Sequence, residues 1–317
     1  MPPLLKATWK HPIFLWVCLL GVLLWSSPGL AAEGGYSNYI PGTYGDFGVA
    51  ITPEPGFYAQ NYLYYYSADA SRAVRQGQIE FNVDLEIAME FPILFYVTDL
   101  ELLGGRYAFG GGIPLVYLDV SADLRAGPFQ RSFSEDRLGI GDAYVIPVSL
   151  YWSFGDLSLN VYQGIVAPTG SYDVDREANT GLNYWSFDTN LAFTYLHPEF
   201  GTELSFNVGH IYNTENPDTN YQTGKEFHLD YMLNQFFSET FAIGFHGFYY
   251  KQYTGDSGSS AVLGDFKAQA AGIGPAVLWI PTILGTEVGL VVKWFHEFEV
   301  ENRLEGDHVL VVLGLGF

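Results

Sequence analysis

Cysteine is all but absent. Cys18 is the only one in 317 residues, and it sits in an apolar run near the N-terminus. With no thiol downstream, a disulfide framework, a thiolate metal site and a cysteine nucleophile are all excluded. Cations are scarce as well: 14 Lys and Arg stand against 35 Asp and Glu, for a net charge of −21. A chain this acidic repels nucleic acid, whose binding depends on basic side chains neutralising phosphates. Charge of either sign reaches only 15%, where soluble domains carry about 25%. Past the first run, no stretch approaches the ~20 apolar residues of a spanning helix. Aromatic residues, by contrast, make up 17% of the chain. Low charge and many rings without a second long apolar run point to a β-barrel, the other structure that satisfies its backbone in lipid.

Residues 1–32 read as a secretory signal. Lys6 and Lys10 give a basic start, Ile13 to Trp25 is uncharged and apolar, and Ala31-Ala32 offers a cleavage site. At thirteen residues, the run is short for a membrane anchor. Val17 before Cys18 is not the small residue that a lipoprotein signal requires. Removal of this segment takes two cations and no acid, which moves the net charge from −21 to −23.

Period-2 alternation fills the remainder. Leu157, Leu159, Val161 and Ile165 oppose Ser158, Asn160, Tyr162 and Gly164. Trp185, Phe187, Leu191 and Phe193 oppose Ser186, Asp188, Asn190 and Ala192, and Val309, Val311, Leu313, Leu315 and Phe317 oppose His308, Leu310, Val312, Gly314 and Gly316. The pattern predicts twelve strands: 57–66, 78–97, 105–123, 140–153, 157–167, 183–195, 202–212, 225–235, 241–252, 267–280, 286–299 and 307–317. Long polar connections (67–77, 124–139, 168–182, 213–224, 253–266) alternate with tight turns (98–104, 154–156, 196–201, 236–240, 281–285), and a charged 300–306 closes the series. An even count with unequal ends is the outer-membrane pattern. A soluble lipocalin-like barrel would place its apolar face inside. Here a face of Phe, Leu, Trp and Val against one of Glu, Asp, Asn and Ser suits lipid outside and water within. Trp152, Trp185, Trp279 and Trp294 near strand ends fit an aromatic girdle.

The fold class is therefore an all-β transmembrane antiparallel barrel over residues 56–317. The expected location is the outer membrane of a Gram-negative bacterium, among membrane lipids and lipopolysaccharide. A terminal aromatic, Phe317, resembles the sorting signal read by the barrel-assembly machinery.

The segment GIGDAYVIPVSLYWSFGDLSLNVYQGIVAPTGSYD and the NTGLNYWSFDTNLAFTYL after it resemble the outer-membrane proteins grouped as the phenol-degradation MetA-pathway family. The landmarks are Gly139-Ile140-Gly141-Asp142, Pro147, Ala167-Pro168-Thr169-Gly170, Tyr172-Asp173 and Asn179 to Trp185, with Pro53-x-Pro55-Gly56-x-Tyr58 and Leu103 to Tyr107 also in agreement. The resemblance spans essentially the whole chain after the signal. It implies a transporter for small hydrophobic, often aromatic, molecules, distantly similar to the long-chain fatty-acid channels.

Twelve strands leave a lumen between the filled eight-stranded barrels and the open sixteen-stranded porins. Residues 33–55 lack alternation and precede the first strand, so they are either a lumen plug or a loose tether. Lumen-lining candidates are Glu80, Asp84, Glu86, Arg106, Asp188, Glu203, His228, Asp230, His246, Glu287 and Lys293. They read first as ion pairs bracing a hydrated bore, because buried charge needs partners or water. Tyr58, Tyr62, Tyr64, Phe248 and Tyr250 form a candidate aromatic path, or else pack against the plug. Gly110, Gly111, Gly112 and Pro114 mark either a lateral opening or a structural bulge, since glycine weakens a strand and proline cannot donate to the ladder.

Catalysis finds no motif. His228 or His246 with Ser205 or Ser186 could be paired, yet there is no Gly-x-Ser-x-Gly elbow. The six histidines after the signal lack ligand spacing, and Asp173, Asp175 and Glu177 read as a solvated loop, so no metal and no cofactor is expected. An outer-membrane hydrolase and an adhesive or structural barrel acting through its loops stand as the competing classes.

Overall fold

The computed structural model describes residues 37–75, 78–126, 129–261 and 267–316. The expected signal at 1–32 and Phe317 lie outside the described residues. The strands are β1 (Gly56–Arg75), β2 (Gln78–Leu102), β3 (Gly105–Gly112), β4 (Leu115–Ala126), β5 (Phe129–Ile140), β6 (Ala143–Phe154), β7 (Leu157–Ala167) and β8 (Ser186–Leu196). They continue as β9 (Thr202–Asn213), β10 (Glu226–Ser238), β11 (Phe241–Gln252), β12 (Gln269–Trp279), β13 (Thr282–Ile283), β14 (Thr286–Glu287), β15 (Gly289–Glu301) and β16 (Glu305–Gly316).

These strands make twelve antiparallel staves. β3 and β4 share one, since both pair with β2 in a single register: Gly112 opposite Ile93 and Leu115 opposite Glu90. Pro114 has no N–H to donate, and the ladder breaks at Ile113-Pro114. β5 and β6 share the next stave around Gly141-Asp142, pairing with β4 and β3 respectively. β13 and β14 form only a small hairpin in the turn between β12 and β15. The ring closes where β1 meets both β2 and β16, with Tyr58 opposite Gly316 and Tyr66 opposite His308. Closure removes the free edges that lipid could not satisfy.

Side-chain sorting around most of the ring follows the bilayer. On β8, Phe187 and Leu191 are exposed while Ser186, Asp188, Asn190 and Thr194 are buried inside. Trp185, Trp279 and Trp294 face outward.

The first staves depart from the sequence-based expectation. β2 is 25 residues long, where a tilted crossing needs about 10. The stretches expected as polar loops at 67–77 and 124–139 are largely strand, so the β1–β2 and β4–β5 hairpins rise beyond the bilayer. There the sorting inverts. Val83, Leu85, Leu118 and Val120 are buried inside, and Asp84 and Glu86 are exposed outside. The inward placement expected for Asp84 and Glu86 is thereby corrected. Above the lipid the outer face meets water, so the acids turn out and the apolar residues fill the bore. The outer rows run Val309, Tyr65, Ala88, Tyr117, Leu138 at one level and Asp307, Ser67, Glu86, Asp119, Asp136 at the next. That single step from apolar to acidic marks the edge of the lipid.

Candidate functional site

Residues 37–55 run inside the ring against β8, β9, β10, β11 and β15. Tyr39 donates from its hydroxyl to Asp230 at 3.1 Å and stacks on His228 at 4.6 Å and on Tyr250 at 5.5 Å. The Gly48 amide donates to Glu203 at 3.0 Å, and the Ala50 amide to the Thr194 hydroxyl at 3.1 Å. Lys293 donates to the carbonyls of Gly42 at 2.7 Å and Gly45 at 2.8 Å, with Asp46 at 3.5 Å. Phe47 packs on His246 at 5.0 Å and Phe236 at 6.0 Å. The glycines are required here. Gly42 has φ +81, and a Cβ on it would stand 2.5 Å from the Phe295 ring, while one on Gly45 would strike the Met232 sulfur.

The inward-facing polar side chains of β8 to β15 complete one another. His228 Nε2 lies 3.2 Å from Asp188, and its Nδ1 lies 3.4 Å from Asp230. His246 Nε2 lies 2.8 Å from the side-chain amide oxygen of Asn234. Asp188, Glu203, His228, Asp230, His246 and Lys293 are all essentially buried. Such burial is tolerable only because each is hydrogen-bonded or ion-paired.

The remaining expected lining residues scatter. Arg106 sits at the tight-turn end, donating to the Pro53 carbonyl at 2.8 Å with Glu54 at 3.6 Å. Glu287 lies exposed in the β13–β14 hairpin, because the stave begins only at Gly289. The side chain of Glu80 lies outside the described residues. Asp84 and Glu86 belong to the outer acidic row.

Opposite the polar half lies a cavity of about 420 Å³ between the inner segment and the wall of β1, β2, β4, β6 and β7. Its lining is largely rings and aliphatic chains: Tyr58, Tyr62, Tyr64 and Tyr66 from β1, Met89 and Phe91 from β2, Tyr144 and Tyr162 beyond. It runs along β1 from Tyr58 to Tyr66, reaching Pro53 at the tight-turn end and Asn179, Leu182 and Arg303 at the other. Most of the β1 hydroxyls are engaged off the path: Tyr58 with the Glu54 carbonyl, Tyr64 with His308 and Tyr66 with Glu297. Of the five aromatics expected to form a path, Tyr58, Tyr62 and Tyr64 line this cavity. Phe248 and Tyr250 pack against Tyr39 instead.

At Gly110 to Gly112 the wall is paired on both sides, with Phe95 opposite Gly110 and Tyr144 opposite Gly112. A Cβ on Gly111 would stand 2.6 Å from the Tyr144 carbonyl, and one on Gly112 would strike the Pro92 carbonyl. The Gly141 amide donates to the Pro114 carbonyl at 2.8 Å and bridges the strand break. The triple glycine lets three backbones approach closely, and the wall is paired over those three residues.

Tyr39, Tyr44 and Asp46 of the inner segment, and Tyr66, Tyr144, Tyr162 and Arg303 of the wall, escaped the sequence reading. Tyr66 was legible, since it continues the Tyr62-Tyr64 alternation. The others depend on contacts distant in sequence.

No curated protein matches the chain. An outer-membrane channel from Pseudomonas putida F1 superposes with a TM-score of 0.68 at 16% identity, over 88% of this chain and 100% of that one. A FadL homologue from Pseudomonas aeruginosa gives a TM-score of 0.40 at 8% identity, over 83% and 90% of the two chains. The first supports the twelve-staved outer-membrane fold. The model of the family described as "Putative MetA-pathway of phenol degradation" matches residues 68–312, and the chain belongs to that family.

Proposed function

We propose that this barrel is a channel for uptake of small hydrophobic compounds, aromatic ones included, across the outer membrane. The observation that carries the reading is the one-sided bore: a continuous aromatic and aliphatic path along β1, facing a segment clamped to the polar half. A ring moving along that path trades one aromatic contact for the next, and each such pair is worth about 0.5–1.5 kcal/mol beyond burial. Contacts that weak permit entry without trapping. The channel named for Pseudomonas putida F1 shares the fold, and the phenol-degradation family points to the same chemical class. The path needs no catalytic group, and the reading assigns none.

On this reading residues 33–55 are a plug that fills the polar half and leaves a route for small apolar molecules. The hydrogen bonds from Gly48, Ala50 and Lys293 support it. Residues 1–32 direct export, Phe317 is read by the barrel-assembly machinery, and the outer acidic rows lie at the level of the lipopolysaccharide headgroups. The test is uptake of labelled toluene by a strain lacking the chain, with and without a plasmid-borne copy. Faster uptake with the copy is expected; equal rates would overturn the reading.

A further inference from the structure

At the long-loop end of the cavity stands Arg303, between β15 and β16. It lines the path and is 7% exposed. Its guanidinium carbon lies 4.8 Å from the centroid of the Tyr250 ring. Its Nε and Nη1 are buried and donate to no acceptor. Guanidinium stays protonated at any physiological pH, and a buried donor left unmet is costly. Two buried carboxylates stand in the same cluster and neither hydrogen-bonds Arg303, although Glu297 Oε1 and Glu226 Oε2 are themselves without a hydrogen-bond partner. Glu297 accepts from the Tyr66 hydroxyl at 3.0 Å and the Gly306 amide at 2.8 Å, with His308 Nε2 at 3.2 Å. Glu226 accepts from the Tyr250 hydroxyl at 2.6 Å. Lys293, deeper in the bore, is occupied by the inner segment.

We infer that Arg303 is the recognition point of a subsite for aromatic carboxylates, with the carboxylate on the guanidinium and the ring against the wall of the cavity. The inference rests on the channel reading and narrows its substrate class. A charged acceptor gives the strongest hydrogen bond a guanidinium can make. The wall beside it supplies the apolar surface: Tyr66 stands opposite Ile87, and Ile87 opposite Leu118, all three lining the cavity. An aromatic acid therefore matches both halves of the subsite, whereas a plain hydrocarbon uses only one.

The test measures equilibrium binding of benzoate, benzamide and toluene to the purified full chain in detergent, with unboiled gel mobility as the check of folding. Wild-type protein is expected to bind benzoate at least tenfold more tightly than benzamide, its neutral analogue of the same shape. Arg303→Gln is expected to remove that preference, bringing its affinities for benzoate and benzamide within twofold of each other. Equal affinity of wild-type protein for benzoate and benzamide overturns the proposal. So does a folded variant that keeps the preference. The benzamide comparison needs no variant, so it holds even where Arg303→Gln fails to fold. Absence of toluene binding and uptake with benzoate preference intact would instead sink the broader hydrocarbon reading.

Discussion

The two halves of the bore share one strand geometry and spend it differently. From β8 round to β15 the inward positions include acids, amides, histidines and a lysine, all buried and almost all engaged with one another or with residues 37–55. From β1 to β7 they are mainly tyrosine, phenylalanine, methionine and valine, and they face open space. A buried polar group must be matched by a partner, so the polar half demands something that fills it. A ring whose hydroxyl is already engaged demands nothing, so the aromatic half can stand empty and accept transient guests. The division separates a half that holds from a half that conducts.

The sharpest way to break that division is to remove a charge from the polar half. Asp188→Ala strips His228 of one of its two carboxylates. Breaking one side of a buried ion pair costs roughly 3–5 kcal/mol. A marked drop in the temperature at which gel mobility shifts is expected. A variant as heat-resistant as the wild type would show the polar half to be ornamental.

Lys293→Met tests the hold on the inner segment. It deletes donors to two carbonyls of residues 42 and 45, each charge-assisted bond worth about 1.5–3 kcal/mol. No described residue is a cysteine, so a single Tyr44→Cys reporter labels cleanly. Faster labelling in the Lys293→Met background is expected, together with higher ion conductance. Unchanged labelling would locate the hold elsewhere.

The aromatic half should respond in transport and not in stability. A Cβ on Gly164 would stand 2.7 Å from ring atoms of Tyr144, which lines the cavity. Gly164→Ala is therefore expected to push that ring into the path and slow uptake of naphthalene several-fold more than that of toluene. Equal slowing of both would mean the path does not run beside Tyr144.

The sequence made the ring visible and hid what lies within it. Twelve staves were legible because strand period and tight turns are local. The acids of β8 to β10 and Lys293 were legible as inward-facing because each opposes an apolar lipid face on its own strand. Period 2 says that a strand has two faces and is silent on which is inside. On β2 the assumption of apolar outside failed above the lipid, so Asp84 and Glu86 were placed on the wrong side. The grip on residues 37–55 was illegible for another reason: Tyr39 meets Asp230 across 191 residues of sequence, and nothing periodic in the segment announces that contact. Arg303, in a three-residue connection, carried no pattern at all.

The smallest expected effect bears on that reversed face. Asp84 sits directly opposite Asp69, which in turn sits opposite Glu305, all three exposed. Like charges facing across a ladder destabilise it. Asp84→Asn should therefore leave uptake unchanged and raise heat resistance slightly, by about 0.5 kcal/mol or less. The gain should shrink as salt screens the exposed pair. An inward-facing acid would behave in the opposite way, since Asn in its place would strand a buried partner and lower stability. The sign of this one measurement therefore separates an acid on the outer face of the wall from one that points into the bore.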